Sequence, residues 1–440
     1  MMLPEILAPA GDMQKLKTAF AFGADAVYAG VPKFSLRTRE AGFSHENLQS
    51  AIDLTHTMGK KLYLTLNIYP HNLKVGSFLK ELDTIAPMGA DALIMADPGM
   101  IAMARKVYPD IPIHLSTQSN TVNWMSVAFW RDLGVKRAIL SRELHLDEIS
   151  EMHEKVPDIE LETFVHGAIC ISYSGRCLIS NYLHGRDANQ GTCTNSCRWE
   201  YKLAYDKGSL LDVEKTQEPY EYGTPPPEGF YVKESHRPDD RFPIGEDEHG
   251  TYLMNSKDLC AIELIPNILK AGVCSLKIEG RTKSAYYAAM TSRSYKRALN
   301  DHLAGKAYDP ENLRDLMRLS NRTYTTGFYT RNPRQYGENI GDGYSGGTNE
   351  AVCGVIRDFN PQTNIAEIEV KNRFLPEEEL TLITPGKDTV FKLDAILDKH
   401  GSKLGAAHGG ARNVWIRLPK DPGEFAFLRK RQETNSKNQN

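Results

Sequence analysis

Eight short runs of apolar and β-branched residues alternate with helical patterns over the first 280 residues of the chain. Strands that alternate with helices indicate parallel βαβ units, and eight such units predict an α/β fold, a closed (β/α)8 TIM-like barrel. The eight runs are EILAP (5–9), DAVYAG (25–30), KLYLTLN (61–67), DALIMAD (91–97), IPIHLSTQ (111–118), RAILS (137–141), IELETFVHG (159–167) and CSLKIEG (274–280).

The chain of 440 residues is longer than a barrel requires, and its remaining parts differ in pattern. The spacing between the seventh and eighth runs is too long for a simple crossover and indicates an elaborated loop. We predict a barrel with this loop and a cysteine cluster over 1–305, a Gly/Tyr-rich connector over 306–350, a small C-terminal antiparallel β-barrel domain over 351–420 and a polar tail over 421–440.

Composition is that of an ordinary globular protein, with 41% hydrophobic and 25% charged residues and a formal net charge of -3. No global basic field indicates nucleic acid, so RNA binding would need a local patch. The N-terminus lacks the pattern of a signal peptide, and nowhere do eighteen apolar residues run together. We therefore expect a cytoplasmic protein whose clustered cysteines are metal ligands or catalytic groups.

Polar residues follow the predicted strands at the end where barrel enzymes carry their active sites. Each residue alone could be ordinary loop polarity, but their joint occurrence on one face predicts a site. Among them, His166, Glu279 and Arg281 are the candidate catalytic groups. The others are Thr65, Asn67, Asp97, Ser116, Gln118, Ser141, Arg142, Glu143 and Lys277.

Four of the seven cysteines fall within 28 residues, in the pattern C-x6-C-x15-C-x3-C formed by Cys170, Cys177, Cys193 and Cys197. Structural zinc sites favour shorter spacings, whereas iron–sulfur clusters accept thiolates from a loop with looser spacing. The pattern therefore favours an iron–sulfur cluster over zinc or over packing residues. Cys260 is a fifth candidate for four places, and spacing leaves open which of the last three cysteines is not a ligand.

The stretch ETFVHGAICISYSGRCLIS (162–180) resembles the signature of the U32, or collagenase-like, peptidase family. Similarity extends through APAGD (8–12), GRDANQGTCTNSCRWEY (185–201), NSKDLC (255–260) and KIEGRTKS (277–284). Members of this family include tRNA hydroxylation proteins, a longer ribosomal RNA cytidine hydroxylase and smaller ubiquinone hydroxylation factors. The length and layout of this chain resemble the tRNA branch.

The resemblance implies oxygen-independent hydroxylation of the tRNA wobble uridine to 5-hydroxyuridine, with prephenate as co-substrate and a cysteine-bound cluster of the [4Fe–4S] type. Carboxylates of such a co-substrate call for basic contacts, and the candidates are Arg37, Arg39, Arg142 and Lys277. Bases of the tRNA anticodon loop require cations and aromatic rings. The segments 292–300 and 321–337 interleave both types of residue and are the candidate RNA surface.

A genuine peptidase remains the alternative, beside the ribosomal RNA and ubiquinone functions of the same family. The sequence contains no HExxH motif, and the G-x-S-x-G match at 343–347 lacks the strand and helix that a nucleophile elbow requires. A thiol peptidase could pair Cys170 with His166. One nucleophile does not explain three further cysteines nearby, however, whereas a cluster does.

Overall fold

The structure is a computed structural model, and it describes most of the barrel and of the C-terminal domain. Arg37, Arg39 and the G-x-S-x-G match lie outside the described residues. The described ranges are 3–36, 42–170, 172–184, 186–195, 197, 231–234, 237–243, 245–247, 250–252, 256–330, 350–410 and 412–431.

Seven parallel strands and six helices alternate through the first part of the chain, as the sequence pattern predicts. The strands are β1 (Glu5–Ala10), β2 (Ala26–Gly30), β3 (Lys61–Leu66), β4 (Ala92–Met95), β5 (Ile113–Leu115), β6 (Arg137–Ile139) and β7 (Glu160–Ala168). The helices are α1 (Met13–Ala21), α2 (His45–Thr57), α3 (Asn72–Ile85), α4 (Pro98–Val107), α5 (Trp124–Asp132) and α6 (Leu146–Lys155).

Short polar residues stand at the start of several of these helices. The side chains of Asp12, Ser44, Asp97 and Asn123 each accept a hydrogen bond from a backbone N–H in the first turn of their helix. Such N-caps satisfy donors that the helix itself leaves without a partner. They fix the point at which each strand turns into its helix at the mouth of the barrel.

The long segment after β7 contributes further elements before the barrel closes. These are α7 (Ile179–His184), β8 (Tyr231–Glu234), β9 (Arg237–Pro243), β10 (Gly245–Asp247), β11 (Gly250–Tyr252) and β12 (Asp258–Cys260). Strand β12 pairs antiparallel with the end of β7, so it lies outside the parallel barrel order. The predicted loop after the seventh strand is confirmed, and it contains strands that the pattern did not reveal.

Barrel closure comes from the eighth parallel strand, β13 (Val273–Ile278), which pairs with both β1 and β7. It is preceded by α8 (Ile265–Lys270) and followed by α9 (Ala285–Leu303), α10 (Glu311–Met317) and β14 (Tyr324–Thr325). Strands β1 and β2 are buried along their whole length, because helices cover the outside and side chains fill the inside. The predicted (β/α)8 barrel is confirmed.

The C-terminal domain is an eight-stranded antiparallel sheet with its own apolar core. Its strands form a half-barrel, since the edge strands β18 and β20 do not pair with each other among the described residues. The strands are β15 (Glu350–Asn360), β16 (Ile365–Val370), β17 (Glu379–Ile383), β18 (Thr389–Lys392), β19 (Ile396–Leu397), β20 (Lys403–Leu404), β21 (Val414–Arg417) and β22 (Phe427–Arg431).

The two domains pack against each other through apolar and charged contacts. Phe427 places its ring 6.1 Å from Phe22 and 5.4 Å from Tyr286 of the barrel helices. Arg293 of α9 bonds Asp315 at 3.1 Å and also contacts Asp388 of the C-terminal domain. Within the described ranges, no helix combines the length and apolar character needed to cross a membrane.

Candidate active site at the barrel mouth

A cavity of about 170 Å³ opens where the parallel strands end. Its walls combine apolar faces with hydroxyl, amide, charged and thiol groups, and they come from seven barrel strands and their following loops. The lining includes Tyr28, Thr65, Asn67, Ser116, Gln118, Arg142, Glu143, Phe164, Lys277, Glu279 and Arg281, together with Cys170, Cys177, Cys193 and Cys197. The structure thus brings most of the polar residues predicted from the strand ends to one cavity.

The four clustered cysteines line this cavity, and none of these four forms a disulfide. Cys170 and Cys193 are exposed, and Cys177 and Cys197 are half-buried, so all four are accessible to an incoming metal. No three His, Cys, Asp or Glu side chains in the described part of the chain are grouped closely enough to form a metal site. The donor set suits a thiolate-bound cluster, although its thiols are not already drawn together.

Cys260 lies elsewhere, buried on β12. Its Sγ is 3.8 Å from the hydroxyl of Tyr295, and burial raises the pKa of the Cys260 thiol to about 11. A metal ligand must be a thiolate, and a buried thiol with a raised pKa resists that change. The geometry therefore separates Cys260 from the four thiols of the cavity.

The turn between Cys170 and Cys177 is docked on two neighbouring barrel loops. Glu143 Oε1, from the loop after β6, accepts hydrogen bonds from the backbone N–H of Ser174 at 2.9 Å and from its hydroxyl at 3.2 Å. Gly175 has φ +74°, and a Cβ there would lie 2.1 Å from the carbonyl oxygen of Gln118. Only glycine fits this left-handed position against the loop after β5.

The segment that carries Cys193 is held by the loop after β3 and by helix α7. Tyr69 donates its backbone N–H to Asn189 at 3.3 Å, and Lys74 Nζ donates to Gln190 Oε1 at 2.9 Å. Ser180 Oγ accepts the backbone N–H of Thr194 at 3.2 Å and lies 3.7 Å from Cys193 Sγ. Ser180 thereby connects the segments that carry the two pairs of thiols. Ser180 is the last residue of the stretch 162–180 that carries the family resemblance, whereas Tyr69 carried no signal in the sequence pattern.

Two amide side chains form a fixed polar wall of the cavity. Asn67 Nδ2 donates to Gln118 Oε1 at 2.6 Å, and Gln118 Nε2 donates to the backbone carbonyl of Asn67 at 2.7 Å. Ser116 Oγ also donates to Gln118 Oε1, at 2.9 Å. The three-residue 3₁₀ turn that follows Ser116 ends the fifth strand earlier than the apolar run predicts, and it turns Gln118 inward.

Arg281 lines the cavity, and its guanidinium donates hydrogen bonds to other residues of the protein. Its guanidinium donates to Ser35 Oγ at 2.6 Å, to Thr65 Oγ1 at 2.9 Å and to the carbonyl of Leu36 at 2.5 Å. A Cβ on Gly30 would lie 2.5 Å from Arg281 Nη1, so the glycine leaves room for the guanidinium. Arg281 therefore anchors the loop after β2.

Arg142 connects the loop after β6 to the ends of two other strands. Its Nη1 donates to the carbonyl of Ala168 at 2.9 Å, its Nη2 lies 3.4 Å from Glu279 Oε2, and its guanidinium stacks 3.9 Å from the Phe164 ring. Charge on this face is mixed, because Glu279 accompanies the arginine. Arg142 and Glu279 line the cavity as predicted, while their roles stay predictions.

A layer of buried charges lies inside the barrel and reaches the cavity at Lys277. This charge layer consists of Glu5, Arg137, Glu162 and Lys277. Lys277 Nζ donates to Glu162 Oε1 at 2.7 Å, and Arg137 Nη1 donates to Glu162 Oε2 at 3.1 Å. Burial alone would raise the pKa of Glu162, but the two cations outweigh it and lower that pKa. Burial lowers the pKa of Lys277, and Glu162 only partly offsets this.

His166 does not line the cavity, which corrects its prediction as a catalytic group in contact with substrate. Its ring packs against Tyr287, Tyr295 and Tyr324 at centroid distances of 5.8, 5.5 and 5.3 Å. Burial, and secondarily Lys283, lowers the pKa of His166 to about 3, so the imidazole is neutral.

The physical reason for this correction is an irregularity in β7. Lys277 pairs with Phe164, whereas the next residue, Ile278, pairs with His166, so Val165 is an extra residue in the ladder. One extra residue reverses the side of the sheet to which the following side chains point. His166 consequently faces helix α9 instead of the mouth, and it is not paired with Cys170 as a thiol peptidase would require.

The predicted RNA surface is largely internal. In segment 292–300, Arg293 and Tyr295 are buried, and Arg293 is used in the domain contact described above. In segment 321–337, Tyr329 is buried with its hydroxyl 2.5 Å from Thr163 Oγ1, while Phe328 is exposed. Arg331, Arg334 and Tyr336 lie outside the described residues. Burial of Tyr295 and Tyr329 leaves these two rings unable to stack on bases.

The fold and the cavity together define a (β/α)8 barrel protein with an accessible cluster of thiols at its mouth and an antiparallel domain behind its helices. The chain belongs to peptidase family U32. The family model matches residues 11–339, and the model of the family's C-terminal domain matches residues 348–429.

Relatives with names tied to RNA modification are similar over nearly the whole chain. The chain is 44% identical to tRNA hydroxylation protein P of Haemophilus influenzae, over 99% of this chain and 98% of that protein. It is 45% identical to the Escherichia coli protein of the same name, over 96% of this chain and 95% of that protein. An uncharacterized protease of Methanocaldococcus jannaschii is 35% identical over 84% of each chain.

Proposed function

We propose that this chain is a tRNA-modifying enzyme that hydroxylates the wobble uridine to 5-hydroxyuridine. The observation that carries the proposal is the 44% identity to tRNA hydroxylation protein P of Haemophilus influenzae, over 99% of the chain. An alignment of that extent includes the barrel, the thiols and the C-terminal domain. The substrate would be met in the cytoplasm, where tRNA is modified.

The resident cofactor in this proposal is an iron–sulfur cluster of the [4Fe–4S] type, held by Cys170, Cys177, Cys193 and Cys197. Support comes from the four thiols that line one cavity and from the separate, buried position of Cys260. A bound cluster would supply the redox or Lewis-acid chemistry that hydroxylation of a pyrimidine ring requires and that amino-acid side chains lack.

The residues of the chain itself would bind and orient the reactants. The amides of Asn67 and Gln118 offer donors and acceptors suited to the edge of a pyrimidine that has left the anticodon loop stack. Arg142, which lines the cavity, would face the carboxylates of prephenate, the co-substrate that we propose on the resemblance of the motifs. Arg281 would hold the loop after β2 in place beside both reactants.

A peptidase is the less favoured function, although the family name carries it. His166, four residues before Cys170, packs against tyrosines of the barrel exterior, so it does not form a nucleophile–base pair with that thiol. Hydroxylation of ribosomal RNA or of a quinone would use the same thiol site. The extent of similarity to tRNA hydroxylation proteins favours tRNA.

The test is mass spectrometry of tRNA nucleosides from a bacterial strain that lacks its own U32 tRNA hydroxylases. Expression of this chain should restore 5-hydroxyuridine and its derivatives, and an empty vector should not. Nucleosides of ribosomal RNA and the quinone pool are measured in the same cells. Restoration of either in place of tRNA 5-hydroxyuridine would overturn the proposal, as would unchanged nucleosides with well-folded protein.

A further inference from the structure

Lys277 stands apart from the other described lysines because it alone is buried, with 3% of its surface exposed. It lies on β13, the last barrel strand, where Ser275 and Lys277 point into the barrel and the residues between and after them point outward. Its ammonium group lies 4.6 Å from the centre of the Tyr28 ring, and both residues line the cavity. A buried amine at the mouth of a barrel is therefore presented to whatever small molecule enters.

The ammonium group of Lys277 is poorly suited to binding a substrate carboxylate by charge alone. The charge layer to which Lys277 belongs contains two cations and two carboxylates, so its net charge is zero. Glu162 Oε1 lies 2.7 Å from the ammonium and already neutralises it. A substrate carboxylate would gain little from a cation that is paired in this way. The sequence prediction of Lys277 as a point-charge contact is thus weakened by its partner.

The same partner equips Lys277 for a different kind of chemistry. Glu162 Oε2 is occupied by Arg137 Nη1 at 3.1 Å and by the Ser275 hydroxyl at 3.0 Å. Its other oxygen, Oε1, is directed at Lys277 and is the nearest acceptor for an ammonium proton. A desolvated lysine with an adjacent base is the arrangement that makes an amine nucleophilic. Burial lowers the pKa of Lys277, which favours the neutral amine.

We infer that Lys277 is a covalent binding residue that forms an imine with a small aldehyde or ketone carrying a carboxylate. The carboxylate is favoured because the guanidinium of Arg142 lines the same cavity as Lys277 and can face a carboxylate there. This inference rests neither on an RNA substrate nor on a bound cluster. It concerns only the amine, its base and the cavity.

The step balances without an oxidant or reductant. The ammonium of Lys277 transfers a proton to Glu162 Oε1, and the nitrogen lone pair then forms a bond to the carbonyl carbon. The carbonyl π electrons move to oxygen, and a proton passes from the attacking nitrogen to that oxygen, which gives a neutral carbinolamine. A second proton, returned by Glu162, lets that oxygen leave as water and yields the protonated imine. Hydrolysis by the reverse path releases the carbonyl compound and restores the ion pair.

Reductive trapping tests the inference on the full-length protein without RNA. The protein is incubated with pyruvate and cyanoborohydride, digested and mapped by mass spectrometry. We expect the reduced pyruvyl adduct on Lys277 in the wild type and in Lys270→Arg, a matched control at an exposed lysine three residues before the same strand. Lys277→Arg, which keeps the charge, should show no adduct at that position.

Two further arms make the result specific. Protein unfolded in guanidinium should lose the preference for Lys277 over Lys270, because burial and the neighbouring base are lost. Acetone, which has a carbonyl but no carboxylate, should be trapped at least about tenfold more slowly than pyruvate if the guanidinium of Arg142 contributes about 1.4 kcal/mol.

Several outcomes would overturn the inference. Folded wild-type protein without an adduct on Lys277, or with Lys270 and Lys277 labelled equally, would do so. Equal trapping of acetone and pyruvate would overturn the requirement for a carboxylate. Because the assay contains no RNA, its failure leaves the tRNA proposal standing, and loss of 5-hydroxyuridine formation would leave a positive trapping result standing.

Discussion

The charge layer inside the barrel and the thiol loop at its mouth, residues 170–197, are held in different ways. Each member of the charge layer is buried and contacts several partners. Glu162, for example, accepts hydrogen bonds from Lys277, Arg137 and Ser275. The thiol loop is partly exposed and is held by contacts with neighbouring loops, such as the hydrogen bonds of Ser174 to Glu143. Substitutions inside the barrel should therefore cost global stability, whereas substitutions at the mouth should act locally.

The largest expected effect is that of Arg137→Met on the charge layer. The substitution leaves the carboxylates of Glu5 and Glu162 buried with fewer partners, which should lower the free energy of unfolding by about 3–5 kcal/mol. Urea unfolding measures the loss. The matched control is Arg131→Met on the surface, expected to change stability by less than about 1 kcal/mol. Equal losses would show that the charge layer is no more important than surface ion pairs.

The second effect is a pH dependence from His166. Its folded-state pKa of about 3 lies below the ordinary 6.5, so the unfolded chain binds the extra proton first. The contribution of the neutral His166 to the free energy of unfolding is fully present above pH 6.5. It is lost as pH falls toward 3, by up to about 1.4 kcal/mol per pH unit.

The variant His166→Phe isolates this contribution. Its free energy of unfolding should fall less steeply with acid than that of the wild type, measured by urea unfolding at a series of pH values. His302→Phe, at an exposed position of the same helix that covers His166, serves as control and should follow the wild type. Parallel curves for His166→Phe and the wild type would contradict a buried neutral imidazole.

A smaller and local effect is expected from Glu143→Gln at the mouth. The neutral amide accepts more weakly from Ser174, and hydrogen bonds to charged groups contribute about 1.5–3 kcal/mol. Hydrogen exchange should accelerate at the amide of Ser174, while the midpoint of global unfolding changes little. Glu151→Gln, an exposed carboxylate of α6, is the control. A global loss of stability equal to that of Arg137→Met would remove the contrast between the two regions.

The sequence predicts the barrel well because burial on both faces of each parallel strand leaves a strong apolar signal. It also predicts that residues at strand ends meet at one cavity, as Asn67, Gln118 and Glu279 do. Side-chain direction is less predictable where the ladder is irregular. The extra residue Val165 turns His166 away from the mouth, and no apolar pattern marks a single-residue bulge.

Contacts between residues that are far apart in the sequence also cannot be predicted from the local sequence pattern. From the sequence, Arg293 is a cation and Tyr329 an aromatic ring, and both types suit an RNA surface. Only the fold shows that each side chain is buried against a distant segment. Cys260 resembles the clustered cysteines by its proximity in sequence. The pairing of β12 with β7 is what places its thiol beside Tyr295 instead of in the cavity.

The most direct test of the proposed thiol site compares Cys193→Ser with Cys260→Ser in the strain that lacks its own U32 tRNA hydroxylases. Both remove one thiol, but only Cys193 lines the cavity. Bound iron and sulfide are measured on the anaerobically purified proteins, and 5-hydroxyuridine is measured in the tRNA of the same cells. We predict that Cys260→Ser keeps the iron and restores the nucleoside, whereas Cys193→Ser does neither. Full iron content and restored 5-hydroxyuridine with Cys193→Ser would contradict the proposed site.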